Sequence, residues 1–271
     1  MPKISIAEVL RSKMPRGAKF IPDFVVRYIA RTVHEDEINY ILQEYWHLSP
    51  KEFIETLFNR WQITFEARGL DKIPTDGRYL FASNHPFGGM DGMMLADLLI
   101  NHFGDARVVV NDLLNYISPL SPLWLLVNKH GKQNSAYAQR MKSAFESELP
   151  ILTFPAGLCS RRRNGVIADT KWRTSFIKHA RQSNRQIVPV FVEGRLSDRF
   201  YNVARFRERI GMKFNPEMIF LPDEMLRQSG SHFRILFGEP IPQEVLAELK
   251  SDKERTEYVR ERVYELAKEL K

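Results

Sequence analysis

The 271-residue sequence contains a single cysteine, Cys159. No disulfide can therefore form within the chain, and a reducing cytosolic setting is the natural expectation. No apolar run approaches the roughly 18 residues that a membrane-spanning helix needs. The opening MPKISIAEVLRSK lacks the apolar core of a secretory signal. A Walker-type glycine-rich loop is missing. His102, His130, His179 and His232 fall at no metal-ligand spacing, so no bound metal is expected. Internal repeats and low-complexity linkers are also missing. The lone Cys159 sits in LCS with no base nearby in sequence, and it reads as a packed thiol rather than a nucleophile.

Acidic residues are in deficit, 33 Asp and Glu against 40 Lys and Arg, for a net charge of +7. The distribution matters more than the total. Residues 1–33 hold Lys3, Arg11, Lys13, Arg16, Lys19, Arg27 and Arg31 against Glu8 and Asp23, which is 7 − 2 = +5. A second basic block runs from Arg161 to Arg185. Such patches suit anionic lipid, nucleic acid or an acidic partner, and equally a solvated surface. Hydrophobic residues at 44% and charged residues at 27% indicate a globular chain with a sizeable core.

Residues 1–60 read as a helical, basic N-terminal appendage. IPDFVVRYIARTV places Ile21, Phe24, Val25, Tyr28, Ile29 and Val33 at helical spacing, with Asp23, Arg27 and Arg31 opposite. A basic amphipathic helix of this kind can lie in a membrane interface or pack on the protein's own core. From residue 61 the pattern changes to short apolar strands (QITFEA, GRYLFASN, ARVVVN, PILTFP, QIVPVFV and later HFRILFG) alternating with helical segments. The expected fold is α/β, a mostly parallel mixed sheet flanked by helices, spanning residues 61–271. The last helix carries Val259, Val263, Leu266 and Leu270 on one stripe.

The stretch FASNHPFGGMDGMML joins a predicted strand to a predicted helix through an Asn-His pair, two glycines and an aspartate. His85 and Asp91 thereby fall at the carboxyl end of a strand, where open α/β sheets bind ligands. A short glycine loop can bring Asp91 to the imidazole. The carboxylate would fix the tautomer, and the other ring nitrogen would be free to take a proton from a hydroxyl. A histidine in a turn followed by a helix-capping aspartate would give the same letters.

Further blocks sharpen this reading. SNHPFGGMDG resembles the first motif of the glycerolipid acyltransferases, the PlsC-like lysophospholipid acyltransferase superfamily. FPAGLCSR, from Phe154 to Arg161, resembles that family's Phe-Pro-Glu-Gly-Thr-Arg-Ser block, IVPVFVEG its Val-Pro-Val strand, and LLVNK, more weakly, its remaining block. Order and spacing agree across residues 80–195. The departures are specific. Five residues rather than four separate His85 from Asp91, and Ala156, Leu158 and Cys159 stand where the family has Glu, Thr and Arg. The Asn-His-Pro-x-Gly-Gly-x-Asp form with Phe-Pro-Ala-Gly also resembles the hemolysin-like branch, which is associated with ornithine- and glycine-type aminolipids.

The resemblance implies an O-acyltransferase with His85 as general base and Asp91 as its orienting group. It implies substrate contacts at Asn84, Lys129, Gly157, Ser160 and Arg161, and oxyanion stabilisation near Gly157. The donor would be a thioester of acyl carrier protein or coenzyme A, in a reaction class that needs neither a metal nor a redox cofactor. The acceptor would be a membrane lipid hydroxyl, such as that of an N-(3-hydroxyacyl) amino acid. The uncharged stretch from Leu113 to Asn128 is a candidate acyl pocket through Leu120, Leu123 and Leu126, although ordinary core packing would look alike. Peripheral attachment to the anionic, cytoplasmic side of the inner membrane is expected, without nucleic acid as a partner. A 1-acylglycerol-3-phosphate acyltransferase and a non-enzymatic basic binding protein remain alternatives at this point.

Overall fold

The structure, a computed structural model, describes residues 3–13, 21–127, 135–212 and 215–270. Seven strands form the central sheet: β1 (Thr64–Arg68), β2 (Tyr79–Ser83), β3 (Arg107–Asn111), β4 (Trp124–Val127), β5 (Ile151–Thr153), β8 (Gln186–Val192) and β9 (His232–Phe237). Two more, β6 (Arg161–Arg163) and β7 (Val166–Ala168), make a separate antiparallel hairpin. The sheet order is β1-β9-β8-β2-β5-β3-β4. Every neighbouring pair in it is parallel except β8 with β9. The expected α/β fold with a mostly parallel mixed sheet is thus the observed one.

Each central strand buries both faces, which is why its sequence is almost continuously apolar rather than alternating. In β2, Tyr79 and Phe81 enter one core layer while Leu80 and Ala82 enter the other. The first layer is walled by Pro50–Arg60 and Gly89–Phe103, the second by Ser135–Glu146, Ser175–Gln182 and Asp252–Leu266. In the terminal helix, Val259, Val263 and Leu266 are the buried stripe. Ser49 starts its helix as a reciprocal cap, accepting from the Glu52 N–H while Glu52 accepts from its own.

The first 60 residues are helical where described: Ile6–Lys13, Asp23–Thr32, Glu35–Tyr45 and Pro50–Arg60. Ile41, Phe53, Ile54, Leu57 and Phe58 share the core of the sheet. The boundary near residue 60 therefore separates helices from strands, not one core from another. The helix Asp23–Thr32 buries none of its residues fully and leaves Phe24 and Tyr28 exposed. Among the described residues, no helix is long and apolar enough to cross a membrane.

Arg185, fully buried, ties the second layer together. Its guanidinium donates to the carbonyls of Tyr79, Ala144, Ser147 and Leu149, joining the start of β2 to the carboxyl end of the helix Ser135–Glu146 and the turn after it. Burial, and Arg78 beside it, pull this guanidinium down to about 10.

Candidate active site

The three sequence blocks converge at the carboxyl edge of the sheet. β5 and β8 flank β2, so Phe154-Pro155-Ala156-Gly157 and Glu193-Gly194 emerge on either side of Asn84-His85. The chain leaves β5 on one side of β2 and returns at β8 on the other, the crossover geometry at which open sheets form ligand crevices. Gly194 lets Phe87 pack directly on the backbone, since a Cβ there would fall 2.0 Å from the Phe87 ring.

Asp91 occupies the first turn of the helix Gly89–Phe103 and has no solvent exposure. Its Oδ2 accepts from the N–H groups of Phe87 and Gly88, both at 2.9 Å, and lies 2.9 Å from His85 Nδ1. One oxygen thus caps the helix and faces the imidazole. The two roles left open in the sequence, capping and orienting, would fall to the same oxygen. Gly88 turns the loop at φ +83, a conformation open to glycine, and this absorbs the extra residue between His85 and Asp91. The His85 contact is short but misaligned for a hydrogen bond, as is common before substrate tightens a site. Burial pushes the Asp91 carboxyl up, while His85 and the two N–H groups pull it down.

The imidazole is 17% exposed, stacked on Phe154 at 4.1 Å between ring centres, and its Nε2 has no protein partner among the described residues. Behind it lies Asp169, which sequence reasoning missed. Asp169 Oδ1 accepts from the His85 backbone N–H at 3.1 Å and from Ser160 Oγ at 2.6 Å. Its Oδ2 accepts from Trp172 Nε1 at 2.9 Å. The Tyr264 hydroxyl accepts from the Asp169 N–H. Burial raises the Asp169 carboxyl, with the Ser160 bond and the nearby imidazole opposing it.

The other residues singled out in the sequence occupy distinct places. Asn84 uses both ends of its amide on Val192, donating to its carbonyl at 2.9 Å and accepting from its N–H at 2.7 Å. Ser160 donates its hydroxyl to Asp169 and its N–H to the His85 carbonyl at 2.8 Å. Arg161 is 4% exposed, and its guanidinium is held by Glu217 at 2.9 Å. Gly157 is partly exposed with φ +64, and its N–H is bonded to the Phe154 carbonyl. Neither the Gly157 nor the Ser160 N–H is therefore open to an oxyanion. The basic group beside Gly157 is Arg173, which is exposed and has Nε 3.8 Å from where a Gly157 Cβ would sit. Lys129 lies outside the described residues.

An apolar cavity of about 340 Å³ opens between the N-terminal helices and the start of Gly89–Phe103. Phe87, Gly89, Met90 and Met93 line it on the side of the His85 loop, and Leu120 and Trp124 on the other. Ile4, Ile6 and Val9 also line it. Of the three leucines expected there, Leu120 reaches this cavity, whereas Leu123 and Leu126 are buried in the core without lining it. Pro119 and Pro122 break the segment into short 3₁₀ turns ahead of β4.

Comparison with known proteins identifies the family. The family profile described as Acyltransferase matches residues 8–271. The chain is 40% identical over 264 residues to the lyso-glycine lipid O-acyltransferase of Bacteroides thetaiotaomicron, with 97% of each chain covered. It is 38% identical over 264 residues to the protein of the same name from Phocaeicola vulgatus, covering 97% of this chain and 95% of that one. A more distant likeness links it to a solved 1-acyl-sn-glycerophosphate (LPA) acyltransferase, PlsC, from Thermotoga maritima. That likeness has 17% identity and a TM-score of 0.49, and it covers 91% of this chain and 88% of that one. With its blocks in order at one sheet edge and relatives matching along nearly its whole length, the chain belongs to the acyltransferase family.

Proposed function

We propose that this chain is an O-acyltransferase that moves a fatty acyl group from a thioester to the hydroxyl of a lyso-aminolipid of the glycine type. The observation that carries the reading is the imidazole of His85, with Nδ1 2.9 Å from a fully buried carboxylate and Nε2 open. The acceptor hydroxyl gives its proton to Nε2 as its oxygen attacks the thioester carbonyl. Asp91 stabilises the resulting imidazolium. The tetrahedral intermediate collapses as the C–S bond breaks, and the proton passes from His85 to the departing thiolate. An ester and a free thiol result. Acyl carrier protein or coenzyme A would carry the thioester, and the basic surface suits either.

Two features favour a carboxylate-bearing acceptor over a phosphate monoester. Cys159 and Ala156, where relatives in phospholipid synthesis have Arg and Glu, are buried and apolar. The Arg161 fork is committed to Glu217. A phosphate monoester carries close to two charges and is best met by several forked donors. One exposed guanidinium, Arg173, suffices for one carboxylate. The names of the two curated relatives point the same way. The acyl chain would enter the apolar cavity beside Phe87. The acceptor reaches the site from the membrane, with the protein bound peripherally at its cytoplasmic face. The exposed Phe24 and Tyr28, next to Arg27 and Arg31, support that attachment.

The acceptor assignment is tested by competition. Purified protein is offered an N-(3-hydroxyacyl)glycine and lysophosphatidic acid with the same thioester donor. Preference for the hydroxyacyl glycine is expected, and preference for lysophosphatidic acid would return the chain to phospholipid synthesis. His85→Ala is expected to lower kcat/KM by about 10²–10⁴-fold with the fold retained by circular dichroism, and Asp91→Asn to be severe as well. Activity within a fewfold of wild type for His85→Ala would remove the base assignment. Leu120→Trp is expected to shorten the preferred acyl chain in a donor series. An unchanged chain preference in a folded variant would show that the cavity does not hold the chain.

A further inference from the structure

The hairpin β6–β7 grows directly from the back of the site. Its first strand follows Ser160, whose N–H donates to the His85 carbonyl, and its second strand leads into Asp169, whose carboxylate accepts from the His85 N–H. Asn164 and Gly165 turn at φ +50 and +82, the left-handed pair of a tight hairpin. At the tip, Val166 is 65% exposed and pairs across from Arg163. The helix Asp198–Arg209 runs alongside. Arg162 reaches its Asp198 and Asn202, and Arg163 its Glu208.

The far end of that helix presents a second set of uncovered apolar side chains. Phe206 is 63% exposed and Ile210, one turn on, is 52% exposed. Met212 follows, also exposed. Arg205 and Arg209 flank them, exposed and without an ion pair among the described residues. Scattered exposed hydrophobics need no explanation. Several brought together on neighbouring elements and edged by unpaired arginines do.

We propose that the hairpin tip and the end of the helix Asp198–Arg209 form a membrane-docking surface that seats the catalytic edge on an anionic lipid leaflet. The occupant follows from the chemistry of the patch. Val166, Phe206, Ile210 and Met212 suit the boundary between headgroups and acyl chains, where interfacial segments sink about 5–10 Å. Arg205 and Arg209 suit the negative headgroups, each arginine being worth about fivefold in binding. The position also fits. Strands of three residues, at about 3.3 Å each, put the tip roughly 10 Å from the His85 backbone. With the tip immersed, the imidazole lies near headgroup level, where the hydroxyl of a lipid acceptor is presented. This rests on the lipid-acceptor reading above but places the contact on a surface distinct from the N-terminal helix.

The test is co-sedimentation of the full chain with phosphatidylcholine vesicles, with and without phosphatidylglycerol. It compares the wild type, Phe206→Glu with Ile210→Glu, and Phe24→Glu with Tyr28→Glu. The Phe206/Ile210 variant is expected to bind anionic vesicles at least about tenfold more weakly. Its thermal unfolding should be unchanged, and so should its thiol release from a water-soluble thioester with a detergent-dispersed N-(3-hydroxyacyl)glycine as acceptor. Vesicle binding equal to wild type in this folded variant would overturn the proposal, and so would loss confined to the Phe24/Tyr28 variant. Light scattering without lipid supplies the other check. A dimer that the Phe206/Ile210 substitution abolishes would assign the patch to a second copy of the chain and overturn docking. Patch-dependent vesicle binding by a protein that transfers no acyl group would uphold docking while removing the functional reading.

Discussion

A carboxylate sealed from water at the first turn of a helix is tolerable because everything around it is arranged to meet it. Asp91 is stabilised by the amino end of the helix Gly89–Phe103, by two backbone N–H groups of its own loop, and by the edge of the His85 ring. The same contacts fix the loop conformation that the two glycines permit. Removing the charge would leave the helix end and the imidazole without their partner. The geometry of the whole loop, and with it the presentation of Nε2, depends on that one oxygen. The family-level chemistry and the local fold are therefore not separable at this position.

Asp169 is the counterpart on the opposite side of the histidine. Asp91 faces the ring while Asp169 holds the backbone, and in each case burial raises the carboxyl while N–H and O–H donors only partly oppose it. Further along the same segment, Arg161 and Glu217 form a buried pair with Arg207 close by. A buried pair of this kind adds little net stability against an apolar replacement. It does tie the first residue of β6 to the 3₁₀ turn Pro216–Phe220.

Much of this was legible in the sequence, and the reasons are particular. The strands could be read because both faces of β2 and β8 are buried, which makes their sequences almost wholly apolar. His85 and Asp91 could be read because their loop is local, and so the spacing itself encodes the contact. In the sequence the β6–β7 hairpin reads as a basic block because its three arginines dominate, although the Asn164-Gly165 turn between RRR and VIA is the available signal. Arg161 looked open for substrate because its partner, Glu217, is 56 residues away. Asp169 was out of reach for the same reason, since it meets His85 across 84 residues with nothing in ADTKW to announce it. Local contacts were readable, and those made by the tertiary fold were not.

The central claim is that Asp91 holds His85 in the tautomer with the proton on Nδ1, leaving Nε2 as the base. Nitrogen-15 NMR of histidine-labelled protein at a pH where the ring is neutral reads this directly. His85, identified by its loss in His85→Ala, should show a protonated Nδ1 and an unprotonated Nε2, with the preference weakened in Asp91→Asn. A wild-type ring protonated on Nε2 would contradict the account, because the nitrogen open to substrate could then only donate.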